Sequence, residues 1–218
     1  GDRLSQVLVG AGISPEHIAV WVGPGHIQAF TQGIPNCMVI DSASETLKKR
    51  LADNFKSELI RFYYGEDLIG TEIVAAAKNV MGIVAGVLDG CGYASLKGSL
   101  MSRGAREVAR LIKAMGGNEL SAYGLAHLGD YEATLFSEYS HNRMYGEMLV
   151  KGKKFEKLAE GVMTAAAMKK LGEKYGVDLP ITCAVFDLCY GEGEEGEDYK
   201  ARCMKLLANL FARDTKSE

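Results

Sequence analysis

The chain has 218 residues, 47% hydrophobic and 24% charged, the balance of a globular protein large enough to bury a core without staples. A formal charge of -3 argues against general attraction to nucleic acid or an anionic membrane surface. No run reads as the about 18 apolar residues of a membrane span, and Gly1-Asp2-Arg3 does not open like a signal peptide. Five cysteines without a C-x-x-C pair fit neither a zinc site nor a disulfide framework, which predicts reduced, mostly buried thiols in a cytoplasmic protein.

In chain order, Gly10-Ala11-Gly12 and Gly23-Pro24-Gly25 look like phosphate-cradling loops, but neither has the third glycine of G-x-G-x-x-G, so both read as turns. Residues 18–22 (IAVWV) predict a buried strand ending at the second turn, and residues 37–40 (CMVI) predict another. Ser44 caps a helix over 45–55 with Leu47, Leu51 and Phe55 on one face. Residues 59–64 give a third strand, closed by Gly65. Three strands with one clear helix make an incomplete sheet. From Asp67 onward the pattern is helical, with a stripe from Ile73 to Leu88 ending at Gly90-Cys91-Gly92. Further helices are expected over 100–115, 155–175, from Pro180 to about Tyr190, and over 199–211, with an acidic, glycine-rich loop at 191–198. This divides the chain into an α/β part, 1–66, and an all-helical part, 67–218.

Lys78 stands out in the apolar, small-residue run Val74-Ala75-Ala76-Ala77-Lys78-Asn79-Val80-Met81. A lysine there snorkels outward, pairs with a carboxylate, or faces an enclosed polar cavity; burial would suit it to proton transfer. Gly124-Leu125-Ala126-His127-Leu128-Gly129-Asp130 frames a turn that delivers Asp130, with Thr134 four residues later on the same helical face. Asp130 could equally cap a helix. Ser140-His141-Asn142-Arg143 places four hydrogen-bonding side chains in a row, in a site or a solvated loop. His127 and His141 are too far apart to read as a metal pair, and no third ligand is evident.

In order along the chain come Gly23-Pro24, Gly33-Ile34-Pro35, Tyr64, Gly70-Thr71-Glu72 and Ala77-Lys78-Asn79-Val80. Arg103-Gly104, the 124–130 turn, Asn142-Arg143 and Glu160-Gly161 follow. This series resembles the NAD(P)-dependent glycerol-3-phosphate dehydrogenase family over about residues 18–181. The resemblance implies the tail of a Rossmann-type nucleotide domain, then an all-α domain of the 6-phosphogluconate dehydrogenase C-terminal type. It implies hydride exchange between glycerol 3-phosphate and dihydroxyacetone phosphate, feeding glycerophospholipid synthesis. Lys78 would accept the hydroxyl proton and Asp130 would orient it. Gly23, Gly25, Asn79, Thr134, Ser140, His141 and Asn142 would join them around the substrate. Ile27, His141, Leu158 and Glu160 would meet the cofactor, NAD or NADP, and no metal is implied. A small-molecule substrate and a homodimer go with the family; nucleic acid and membrane insertion do not.

The chain departs from the pattern at several positions. His141 stands where the family has arginine, and a histidine lacks arginine's bidentate fork for phosphate. Gly25 replaces a serine or threonine, Gln28-Ala29-Phe30 covers the region of an expected glutamate, and Gly92-Tyr93-Ala94 stands for G-D-N. His127 replaces a glycine. The pyrophosphate-binding strand and loop, and a second family lysine, are expected upstream of residue 1, so these residues alone should hold NAD(P) weakly. Two other readings compete: a relative acting on another small oxo compound, and a noncatalytic helical assembly module.

Overall fold

The computed structural model describes residues 2–25, 27–192 and 198–213. Most of the expected loop at 191–198 therefore lies outside the described residues. The first part carries α1 (Leu4–Gly10), β1 (Ala19–Val22), α2 (Ile27–Thr31), β2 (Asn36–Ser42), α3 (Glu45–Phe55) and β3 (Ile60–Tyr64). The sheet order is β1-β2-β3. β2 and β3 run parallel, with Asn36 opposite Ile60, and α3 is their crossover. Ser44 caps α3 as expected, its hydroxyl accepting from the Leu47 amide at 3.2 Å. β1 pairs antiparallel with β2 and lies at the edge. The expectation of a buried strand fails there, because an edge strand has a neighbour on one side only and Trp21 stays 41% exposed. Gly10 ends a helix rather than a strand, and Gly12 (φ 92°) and Gly23 (φ 140°) adopt conformations that a side chain would strain. Both glycine pairs are turns.

The helical part is built around α4 (Leu68–Cys91), about 36 Å long at 1.5 Å per residue. Its Val74, Ala77, Val80, Met81 and Ile83 are wholly buried. By length and composition α4 could cross a membrane, with a mean hydropathy of 1.5, which corrects the expectation that no stretch approaches a span. Its apolar surface is taken up by α5 (Lys97–Ala114), α6 (His141–Val150), α7 (Glu160–Tyr175), α8 (Pro180–Tyr190) and α9 (Tyr199–Phe211).

Glycines set the closest approaches. A Cβ on Gly86 would overlap the Arg143 carbonyl oxygen, and one on Gly146 would overlap that of Ile83. Backbone therefore meets backbone where α4 and α6 cross. Gly161 does the same for α7, since a Cβ there would fall 2.5 Å from the Asn79 carbonyl.

The helix at 141–150 departs from the expectation of a solvated loop over Ser140 to Arg143. The Ser140 hydroxyl caps it, accepting from the Arg143 amide at 3.3 Å. Conversely, α7 starts at Glu160 rather than at residue 155. The Phe155 ring, which suggests a first turn in the sequence, packs edge-on against Tyr145 at 5.8 Å and so covers α6.

Buried polar groups tie the parts together. Asp41, at the end of β2, accepts from Thr71 Oγ1 (2.7 Å) and from the Asp67 amide (3.2 Å). Asp67 in turn accepts from the Asn118 amide and Ser121 Oγ, both at 2.8 Å. Glu107 of α5 receives the Ile181 and Thr182 amides (2.8 and 2.9 Å) and so caps α8 across the bundle. The five cysteines are free; Cys203 is buried, but the other four are half-buried, fewer buried thiols than expected. Burial pushes the Cys203 thiol up to about 12, so it is not a ready nucleophile.

Candidate functional site

Lys78 lies in the third turn of α4 and Asp130 in the 3-10 turn Leu128–Asp130, 52 residues on. The two side chains form an ion pair, the ammonium donating to Asp130 Oδ2. The carboxylate is 3% exposed and the lysine 21%, so the pair is fixed from below and open on the lysine side. Of the three readings of Lys78, pairing with a carboxylate is the one observed. Asp130 pairs rather than acting as a helix cap.

Next to Lys78, Asn79 donates to Glu160 Oε2 (3.2 Å) and accepts from Asn142 Nδ2 (3.0 Å). Asn142 Oδ1 accepts from the Gly161 amide at 2.8 Å. Asn142 is thus bonded through both ends of its amide, and the chain of bonds joins the starts of α6 and α7 to α4. Thr134 sits in a π-helical turn, Glu132–Phe136, a form often found at functional sites. It is 6% exposed, and a Cβ on Gly82 would lie 3.1 Å from both its methyl group and the Asn142 Cβ. The end of this turn is anchored by Lys97, which donates to the Leu135 carbonyl at 2.9 Å and pairs with Asp89 at 2.8 Å. Arg143 Nε reaches the same Asp89 oxygen at 2.7 Å.

Asn79, Asn142 and Glu160 therefore form one hydrogen-bonded set, with Thr134 and Asn142 both against Gly82, and the Lys78–Asp130 pair adjoins that set through the Lys78–Asn79 step of α4. Ser140 spends its hydroxyl on the α6 cap beside it. His141 is exposed at the first position of α6, its ring 6.2 Å from Phe155. Leu158 and Ile27 are 70% and 76% exposed, open to a ligand and set apart from the bonds of the cluster. Gly23 and Gly25 form the turn after β1, and their close neighbours are Cys37, Met38 and Phe30.

His127 and Tyr131, either side of Asp130, join the site without having been among its expected residues. The departure from glycine at 127 is the one signal that the sequence offers for them. His127 is fully buried, and burial, with a further push from the Lys78 charge, lowers its pKa to about 4. A cavity of about 660 Å³ lies elsewhere, lined by Leu100, Arg103, Arg106, Pro180 and Phe211 among others, and none of the expected site residues lines it.

A family model described as NAD-dependent glycerol-3-phosphate dehydrogenase C-terminus matches residues 67–197. A protein named glycerol-3-phosphate dehydrogenase [NAD(P)+] from Prosthecochloris aestuarii is 33% identical over 228 aligned residues, covering 100% of this chain and 66% of that protein. One of the same name from Moorella thermoacetica is 36% identical over 196 residues, covering 86% of this chain and 58% of its own length. Among solved structures, glycerol-3-phosphate dehydrogenase from Coxiella burnetii superposes with a TM-score of 0.76 at 26% identity, covering 87% of this chain and 59% of that one. The Plasmodium falciparum enzyme reaches a TM-score of 0.78 at 14% identity, covering 100% of this chain and 62% of its own, a likeness of fold. The architecture is an α/β remnant of a Rossmann-type domain followed by an all-α domain, as the resemblance implied. The chain belongs to the NAD-dependent glycerol-3-phosphate dehydrogenase family, within its C-terminal part. It spans 66% of the length of the Prosthecochloris relative.

Proposed function

We propose that this chain is the catalytic portion of an NAD(P)-dependent dehydrogenase that interconverts glycerol 3-phosphate and dihydroxyacetone phosphate. Residues 1–66 form the tail of the nucleotide domain and 67–218 the substrate domain. The observation that carries the reading is the Lys78–Asp130 pair, buried on the acid side and open on the lysine side. In the direction of reduction, Lys78 Nζ donates a proton to the carbonyl oxygen while hydride reaches the carbon. In oxidation the neutral amine takes the hydroxyl proton back. Asp130 holds the ammonium in place and balances its charge through the cycle. The bound nicotinamide supplies or accepts the hydride. Asn79, Thr134 and Asn142 shape the polar wall beside Nζ.

The chain's own residues fit one end of such a cofactor. Glu160, exposed at the start of α7 and bonded to Asn79, can accept from a ribose hydroxyl. Leu158, Ile27 and His141 present exposed side chains for the remainder. For the pyrophosphate the fit fails among the described residues, since neither glycine pair joins a strand to a long helix.

Made in the full-length protein, with its pyrophosphate-binding segment present, Lys78→Ala should lower turnover of dihydroxyacetone phosphate with NADH by about 1,000-fold or more while the fold persists, as judged by circular dichroism. Turnover at the wild-type rate would sink the dehydrogenase reading in favour of an assembly module. A second reading, a relative acting on a non-phosphorylated oxo compound, is favoured by His141, whose exposed imidazole cannot clamp a phosphate in two-pronged fashion. Faster turnover of a simple 2-oxo compound than of dihydroxyacetone phosphate would establish it.

A further inference from the structure

His127 and Tyr131 take no part in the proton transfer described above, yet both are fully buried against the turn that presents Asp130. His127 Nδ1 lies 2.9 Å from the Ala122 carbonyl oxygen, and Nε2 lies 3.0 Å from the Tyr131 hydroxyl. A carbonyl oxygen only accepts, so the ring proton sits on Nδ1 and Nε2 is left to accept from the tyrosine O–H. The rings also meet edge to face at 4.7 Å.

One imidazole thus reaches five residues back and four residues forward along the chain, and Asp130 is enclosed in the forward span. The backbone runs the same way: the Gly129 amide donates to the Gly124 carbonyl (3.1 Å) and the Asp130 amide to that of His127 (2.9 Å). The charged or titratable groups felt from other elements are Lys78 of α4, whose charge reaches His127, and Glu107 of α5, whose charge reaches Tyr131.

We propose that the His127–Tyr131 pair is a positioning device that holds the Asp130 carboxylate against Lys78. The proposal rests on the reading of Lys78 and Asp130 as the proton-transferring pair. The motif that this chain resembles has glycine at position 127, so the brace comes from a side chain which that pattern lacks. The neutral, Nδ1-protonated form is the one that works. A buried imidazolium would compete for the Asp130 charge and repel the lysine ammonium.

Two readouts test this on nitrogen-labelled protein. An ammonium locked on a carboxylate exchanges its protons slowly enough to give its own NMR signal, and Lys97, paired with Asp89 at 2.8 Å, is the control in the same molecule. The Lys78 signal should be present in the wild type and lost in both Tyr131→Phe and His127→Asn, with the Lys97 signal kept. Its absence from the wild type, or its survival in both variants, overturns the proposal. If a variant also loses the Lys97 signal it has not folded. The wild-type imidazole nitrogens then decide: an Nδ1–H ring near neutral pH supports the brace, and an Nε2–H ring or an imidazolium refutes it. In turnover of dihydroxyacetone phosphate by the full-length protein, Tyr131→Phe should lower kcat roughly 10- to 100-fold and leave KM within about twofold. An inactive full-length wild type would count against the dehydrogenase reading, while the lysine signal would still judge the brace.

Discussion

At the scale of single residues, burial decides what each ionisable group can do. Asp130 is 3% exposed and stands in an ion pair with Lys78, a partner that offsets the cost of taking a carboxylate out of water. His127 has its pKa lowered from 6.5 to about 4, so the folded protein binds fewer protons there than the unfolded chain. Its stabilising effect is complete above pH 6.5 and is lost as the pH falls toward 4. The loss amounts to about 3 kcal/mol, because each pH unit between those two values is worth about 1.4 kcal/mol. Glu107, whose carboxyl pKa burial pushes up, acts in the opposite sense, favouring the folded state as the pH falls. Urea unfolding of wild type and His127→Asn at neutral pH and near pH 4.5 separates the two. The variant should lose less stability between those pH values than the wild type, and an equal loss would remove His127 from the account.

At the scale of elements, the site is made by how closely helices approach. Gly82, Gly86 and Gly90 lie one turn apart on α4, and α6 settles onto them with Gly146 facing back. That contact brings Asn142 to within 3.0 Å of Asn79. Gly86→Ala should therefore cost about 3 kcal/mol or more, since its Cβ would meet backbone rather than a movable side chain. Gly82→Ala should cost less, because it meets the Thr134 methyl group and the Asn142 Cβ at 3.1 Å. Equal midpoints for the two variants in denaturant would contradict this picture. The spacing of these glycines is plain in the sequence, where it shows only the small-residue character of one helix. Its meaning depends on a second helix, 141–150, whose onset is hidden in a run of polar residues.

For the whole molecule, Asp41 and Asp67 fasten the end of β2 to the start of α4 and the turn at Asn118. Arg3 and Ser5 add a second fastening, both bonding Glu72. The sheet thereby stands at the end of α4 that carries Lys78. A nicotinamide reaching that end would still need its pyrophosphate held elsewhere. Fluorescence titration of the 218-residue chain with NADH should accordingly show no saturation in the micromolar range. Micromolar binding would mean that one of the two glycine turns cradles phosphate after all.

The helix over 45–55 with its serine cap, the three strand positions, the long stripe from Ile73 to Leu88 and the last two helices are all legible from the residues. These features depend on periodicity and capping, which act within a few residues of chain. The odd placement of Lys78 and the glycine-framed delivery of Asp130 are legible for the same reason. Only the tertiary structure decided that these two side chains meet across 52 residues, that Ser140 caps a helix, and that His127 turns inward beside Asp130 to bond Tyr131. Each of those outcomes depends on which face of one element is covered by another, and local sequence does not encode the covering partner.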